Sequence, residues 1–177
     1  MPQSMTSIAS TALSPPLPQI REDPTPNDPC AVRDLTASTG FFSDEEIAVA
    51  VELVEARLAQ GLASGYRFIL AERGDRLEGY VCFGPIPLTR SSFDLYWIAV
   101  RPAAQRAGLG RRLMALAEAA AVALGGTAMY VETSTRPQYR PTRAFYCCLG
   151  YRLAAELPDF YGPGDGQAIY AKQLALP

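Results

Sequence analysis

The sequence predicts an α/β domain built on a mixed sheet, and three observations carry that prediction. Apolar runs and helical periodicities follow one another in the order β-α-β-β-β-α-β-α-β-β, which matches neither a pure doubly wound sheet nor an all-strand barrel. A capping box, Ser43-Asp-Glu-Glu46, opens a helix in which Ile47, Val51, Val54 and Leu58 recur at helical spacing. A glycine turn, Gly108-Leu-Gly110, joins an apolar strand to an alanine-rich helix.

Residues 1–29 are rich in Pro, Ser and Thr and poor in large apolar groups, so they are expected to form a disordered or extended arm. The folded domain is expected to span residues 30–177, with Cys30-Ala-Val-Arg33 as a short first strand and the Ser43-capped helix after it. Tyr66 to Glu72 and Leu77 to Phe83 read as two strands of a hairpin turned by Arg73-Gly-Asp-Arg76. Phe93 to Val100 is a long strand, Leu109 to Leu124 a helix ended by Gly125-Gly126, and Ala128 to Glu132 the next strand. Arg140 to Leu149 is a helix stopped by Gly150, and Tyr151 to Leu157 and Gln167 to Leu174 are the closing strands. Alternation along the Phe93–Val100 strand places Asp94, Tyr96, Ile98 and Val100 on one face.

The glycine turn has the makings of an anion site. Glycines two apart let the main chain turn tightly, and the first turn of the following helix leaves N–H donors unpaired at the positive end of its dipole. Arg101, Arg106, Arg111 and Arg112 concentrate positive charge beside it, as a ligand with several phosphates requires. A dinucleotide fingerprint is the competing pattern, since Glu132 ends the next strand at about the distance of a ribose-binding acid. Leu113 at the third glycine position, and the absence of further βαβ units, weigh against it.

Composition narrows the chemistry. The length, 177 residues, suits one domain with a full core, and no apolar run approaches the roughly 20 residues that span a bilayer. With no signal-like N-terminus and no membrane span, a cytoplasmic location is expected. A formal charge of −2 argues against a dedicated nucleic-acid binder. Cys30, Cys82, Cys147 and Cys148 lack metal-ligand spacing and are expected to be reduced, buried or half-buried thiols; no metal is expected. Histidine is absent, which removes Ser-His-Asp and Cys-His schemes and leaves acid-base work to carboxylates, tyrosines, thiols or water.

Gln105-Arg-Ala-Gly108-Leu-Gly110 resembles motif A of the GNAT superfamily of N-acetyltransferases, Gln/Arg-x-x-Gly-x-Gly/Ala. Pro141-Thr-Arg-Ala-Phe-Tyr-Cys-Cys-Leu-Gly-Tyr151 resembles a second motif of that superfamily, with Thr142, Phe145, Tyr146, Gly150 and Tyr151 at matching places. The two motifs and the strands between them cover most of the chain from Phe93 onward. The resemblance implies a mostly antiparallel mixed sheet flanked by helices, with central strands that splay apart to admit acetyl-CoA. The element order matches that fold with its second small helix reduced or missing.

The resemblance also implies roles for residues. The backbone of Ile98, Ala99 and Val100 would pair with pantetheine amides, and the amides of Ala107, Gly108, Leu109, Gly110 and Arg111 would hold the pyrophosphate, with Gln105, Arg106 and Thr142 in reach of the cofactor. Tyr146 is the implied general acid facing the sulfur, and Asp94 or Glu132 the candidate base. An alkyl thiol and an aliphatic amine have pKa values of about 8.5 and 10.4, so positioned weak acids and bases suffice for both proton movements.

Acceptor walls are expected from Phe41, Phe42, Tyr96, Glu132, Tyr139, Phe160 and Tyr161, with the 158–165 stretch as a lid. Asp159 or Asp165 would draw an amine, and Arg136 or Arg140 a carboxylate. The expected activity is direct transfer of acetyl from acetyl-CoA to a primary amine of a small molecule, amino acid or peptide, since no histidine is present to activate an acyl-cysteine route. A non-catalytic acyl-CoA-binding module is the alternative, and the resemblance is compatible with a homodimer.

Overall fold

The computed structural model describes residues 17–174. Its elements are β1 (Gln19–Arg21), α1 (Asp28–Ser38), α2 (Asp44–Gln60), β2 (Arg67–Arg73), β3 (Arg76–Pro85), β4 (Ser92–Val100), α3 (Leu109–Ala123), β5 (Ala128–Ser134), α4 (Arg140–Cys148), β6 (Arg152–Gly162) and β7 (Asp165–Gln173). The strands form one seven-stranded sheet in the order β1-β2-β3-β4-β5-β7-β6. Every neighbouring pair is antiparallel except β4 and β5. One parallel pair leaves no repeated βαβ unit, so the dinucleotide pattern in the sequence has no matching architecture.

Two apolar layers sandwich the sheet. Leu113, Met114, Ala117 and Ala121 of α3 pack on one face against Val81, Phe83, Phe93, Leu95 and Met129. Val32 and Leu35 of α1 and Ala50, Val51 and Val54 of α2 pack on the other face against Phe68, Leu70, Tyr80 and Cys82. α3 sits close to β3 because Gly79 has no side chain; a Cβ there would lie 3.1 Å from Leu113 Cδ1 and 3.2 Å from the Ala99 carbonyl oxygen. The predicted capping box of α2 is present, with Ser43 Oγ accepting from the Glu46 N–H and Glu46 Oε2 accepting from the Ser43 N–H at 2.7 Å.

The structure corrects the N-terminal expectation. Cys30–Arg33 is not a strand but part of α1, because Pro29 stands in its first turn and Val32 and Leu35, three apart, bury one helix face. Two helices therefore precede β2, and no helix of the implied fold is missing. Residues 1–16 of the expected arm lie outside the described residues, but its later part is structured, since Gln19–Arg21 pairs with β2. Arg21 fixes that strand by bonding both Asp28 and Glu72. Although burial of Asp28 opposes its ionisation, hydrogen bonds from Arg21 and Thr25 hold its carboxyl below the ordinary range.

The expected lid is also different. Residues 158–162 continue β6, which with β7 forms a long hairpin, and Asp159 Oδ1 accepts from the Gly164 N–H at 2.7 Å to close the turn. No helix among the described residues is long and apolar enough to cross a membrane.

Candidate active site

The site begins where two parallel strands part. β4 and β5 pair from Ser92↔Ala128 to Leu95↔Val131, after which β4 stays paired with β3 and β5 with β7. A cavity of about 690 Å³ occupies the opening. Phe41, Phe42, Ser43 and Glu46, from the α1–α2 connection and the start of α2, wall it on one side; Thr142 and Tyr146 of α4 reach it from the other.

A bulge in β4 reshapes the strand at this point. Cys82 pairs with Trp97 and Phe83 with Leu95, leaving Tyr96 without a partner in β3. The predicted single face of Asp94, Tyr96, Ile98 and Val100 is thereby broken. Tyr96 and Trp97 pack toward the α1–α2 layer, whereas Ile98 and Val100 pack toward α3. Asp94 alternates with Phe93 and Leu95 of the α3 layer and so shares the α1–α2 side with Tyr96.

Asp94 and Glu132 stand on the two parting strands and both line the cavity. Burial, reinforced by the charge of Glu132, pushes the Asp94 carboxyl up to about 6. Glu132 accepts from Gln167 Nε2 at 2.6 Å, and the same amide lies 3.3 Å from the Tyr161 hydroxyl. Burial, with the Asp94 charge adding to it, pushes the Tyr96 hydroxyl up to about 12. Tyr146 is 4% exposed, its ring packed near Phe145, Tyr151 and Tyr170, and burial raises its hydroxyl well above the usual phenol range. Tyr146 therefore combines a core ring with a place on the cavity wall, where it remains protonated throughout the physiological range.

The glycine turn has the open donors an anion needs. Arg106 and Gly108 adopt left-handed conformations, φ 61° and 85°. Gly108 caps α3 without a side-chain bond, and the Arg112 N–H is bonded to the Gly108 carbonyl, so the amides of Leu109, Gly110 and Arg111 precede that first helical turn. Residues 105–108 of the turn are exposed. Gln105 is exposed, and its Nε2 donates to the Val100 carbonyl at 2.9 Å and closes the loop.

Several charged residues belong to the scaffold. Arg101 is 5% exposed, donates to the Leu77 carbonyl and pairs with Asp34 at 2.7 Å, while Arg112 donates to the Pro18 carbonyl. Arg106 and Arg111 remain exposed beside the turn. Arg136 pairs with Asp165 at 3.0 Å, so the expected amine and carboxylate clamps hold each other. Arg140 is exposed at the start of α4, outside the cavity wall.

Among the expected acceptor walls, Phe41, Phe42, Tyr96, Glu132, Tyr139 and Tyr161 line the cavity. Phe160 does not; it is 56% exposed and packs edge-on against Tyr161. Ala99 is buried on the α1–α2 side. Cys30, Cys147 and Cys148 are exposed, correcting the expectation of buried thiols; only Cys82 is buried. Sequence reasoning passed over Trp97 and Glu46 as wall residues. Trp97 was hidden by the bulge, and Glu46 had already been explained as half of a helix cap.

The sequence and the fold have known relatives. Residues 64–153 match the family model described as the acetyltransferase (GNAT) domain. Over 123 residues the chain is 36% identical to a blasticidin-S acetyltransferase of Streptomyces morookaense, covering 69% of this chain and 82% of that protein. A GNAT-family crystal structure from Desulfovibrio desulfuricans superposes with a TM-score of 0.87 at 43% identity, covering 89% of this chain and 99% of that one. An aminoglycoside 6'-N-acetyltransferase in complex with coenzyme A superposes with a TM-score of 0.69 at 20% identity, covering 89% and 97% of the respective chains, and shares the fold.

Proposed function

This chain belongs to the GNAT family and is an acetyl-CoA-dependent N-acetyltransferase, and from that premise we propose that it acetylates the primary amine of a small molecule, amino acid or peptide by direct transfer within a ternary complex. The observation that carries this reading is the cavity in the strand opening, where two carboxylates and a buried, protonated tyrosine share one space. The small-molecule acceptor named for the Streptomyces relative favours the small-molecule end of the range.

The cofactor-binding residues follow from what the chain leaves unsatisfied. Leu109, Gly110 and Arg111 present N–H groups at the start of α3, and Ala107, Arg106 and Gly108 shape the approach to them. Arg106 and Arg111 supply exposed positive charge. β4 from Ile98 to Val100 has no β5 partner and, apart from the Val100 carbonyl that Gln105 engages, offers a main-chain edge to an extended amide chain, with Thr142 across the opening. Acetyl-CoA supplies an activated acetyl thioester; a C–N bond forms as the C–S bond breaks, and coenzyme A leaves as the thiol.

The residues then divide the proton traffic. Asp94, with its carboxyl near 6, is ionised at neutral pH and more basic than an ordinary aspartate, which suits it to take the proton that the amine gives up. Glu132 stands beside it and orients the amine, held in turn by Gln167. Tyr146, kept protonated because burial disfavours the phenolate, passes its proton to the departing sulfur and is reprotonated by the proton that the nitrogen loses as the amide forms. Exposed Cys147 and Cys148 take no part.

Thiol release from acetyl-CoA with pooled amines, amino acids and short peptides, run on wild type and Tyr146→Phe, tests this division. Release that depends on an amine and falls at least about tenfold in the variant, with acetyl-CoA affinity retained, is expected. Equal behaviour of the two proteins would favour a non-catalytic acyl-CoA-binding module.

A further inference from the structure

The charge balance of the cavity speaks to what else the acceptor carries, an inference that rests on the acetyltransferase reading above. Carboxylates of Glu46, Asp94, Glu132 and Asp165 line the cavity against one cationic side chain, Arg136. Arg136 is already engaged, paired with Asp165 at 3.0 Å and lying over the Tyr139 ring at 5.5 Å. Among the described residues, Glu46, Asp94 and Glu132 form no ion pair. Three negative charges therefore face a cavity that supplies no cation to them, and a reacting amine answers to only two, the neighbouring Asp94 and Glu132.

Glu46 is the third. Its Oε2 accepts from the Ser43 N–H at 2.7 Å, but its Oε1 has only a long contact, 3.4 Å, from the Tyr139 hydroxyl. Capping does not require its charge, since a glutamine at the same helical position closes a capping box equally well. The surroundings of Glu46 are aromatic. Phe41 packs against Tyr139 with ring centres 4.8 Å apart, and Phe42 against Trp97 at 5.0 Å. A carboxylate with spare acceptor capacity among aromatic rings is a setting that favours ammonium and guanidinium groups over neutral or anionic ones.

We propose that the acceptor carries a second cationic group besides the amine that is acetylated, with the reacting amine at Asp94 and Glu132 and the second cation at Glu46 among Phe41, Phe42, Trp97 and Tyr139. The reacting ammonium gives its proton to Asp94 before transfer, whereas the second group keeps its charge throughout and acts only in binding and orientation.

Four probe amines of similar length separate the possibilities: agmatine, with a guanidinium; cadaverine, with a second ammonium; pentylamine, with an apolar end; and aminovalerate, with a carboxylate. Each is assayed for acetylation, and its binding to the protein is measured by calorimetry, with wild type and Glu46→Gln. The expected result is that kcat/KM for at least one dication exceeds that for pentylamine by about tenfold or more, with aminovalerate lowest, and that Glu46→Gln brings the ratio toward one. The better of agmatine and cadaverine identifies the cation.

Efficient acetylation of pentylamine or aminovalerate, equal to that of both dications, would overturn the inference while leaving the acetyltransferase reading intact. Tight binding of a dication that depends on Glu46, without acetylation of any probe, would support the inference and overturn the direct-transfer reading. Binding of no probe over another would overturn the inference whatever the turnover.

Discussion

If Asp94 is the base, its ionisation must appear in the rate. With its carboxyl near 6, Asp94 is about one-tenth ionised at pH 5 and about nine-tenths ionised at pH 7, so the step it serves should quicken about tenfold across that interval. The acceptor amine also titrates, and the remedy is to follow the ratio of kcat/KM between wild type and Asp94→Asn, in which the acceptor's own ionisation cancels. That ratio should climb about tenfold from pH 5 to 7 and then level off.

Glu132→Gln adds an internal check, because burial is the larger cause of the raised Asp94 value and the Glu132 charge the smaller. Removing that charge should move the acid limb to lower pH without restoring it to the ordinary aspartate range. Stability should respond in the opposite sense to activity. A carboxyl that ionises less readily in the folded state than in the unfolded one costs stability as pH rises through about 4 to 6, and Asp94→Asn removes that cost. A flat wild-type to Asp94→Asn ratio from pH 5 to 8, with both proteins folded, would refute the assignment and pass the role to Glu132 or water.

Arg21→Ala leaves Asp28, 2% exposed, without its charged partner and should destabilise the fold by about 3 kcal/mol in urea titration. Because the Asp28 value is lowered in the folded state, its contribution is present above about pH 4 and lost below, so the gap between variant and wild type should narrow in acid. Gly108→Val places a β-branched residue at φ 85° and should cost about 1–2 kcal/mol in thermal melts while weakening acetyl-CoA binding. The double variant Cys147→Ala, Cys148→Ala should retain wild-type turnover, since both thiols are exposed and the proposed transfer uses neither.

Local signals with their own chemistry were readable along the chain. The Ser43–Glu46 box closes as its spacing requires, and the polar turn from Arg73 to Arg76 joins the hairpin the sequence indicates. The Gly108 turn opens α3 at Leu109, as the strand-turn-helix pattern requires. Short segments without such signals were not readable. Cys30–Arg33 suits strand or helix alone, and packing of Val32 and Leu35 beneath the sheet decides for helix. The aromatic 158–162 stretch looks like a loop because of its Pro, Gly and Asp content, yet it continues β6 in extended form, paired with β7 at Leu157 and Gly162 and irregular between them.

The site was legible in part for the same reason. Asp94, Glu132 and Tyr146 reach one cavity, but the separation of Asp94 and Tyr96 from Ile98 and Val100 depends on a bulge at Tyr96 that no alternation pattern reveals. Arg101 illustrates the converse. It sits beside the phosphate turn in sequence, while its side chain is drawn to Asp34 and the Leu77 carbonyl, residues distant in the chain.

The central claim is that acetyl passes from acetyl-CoA straight to an amine held in the strand opening. Acetyl-labelled acetyl-CoA, incubated with the protein with and without an amine pool and then separated into protein and small-molecule fractions, tests it most directly. The account predicts label on an amine product only when amine is present, and none retained on the protein. Label carried by the protein in the absence of amine, or no transfer from a bound cofactor to any amine, would contradict it.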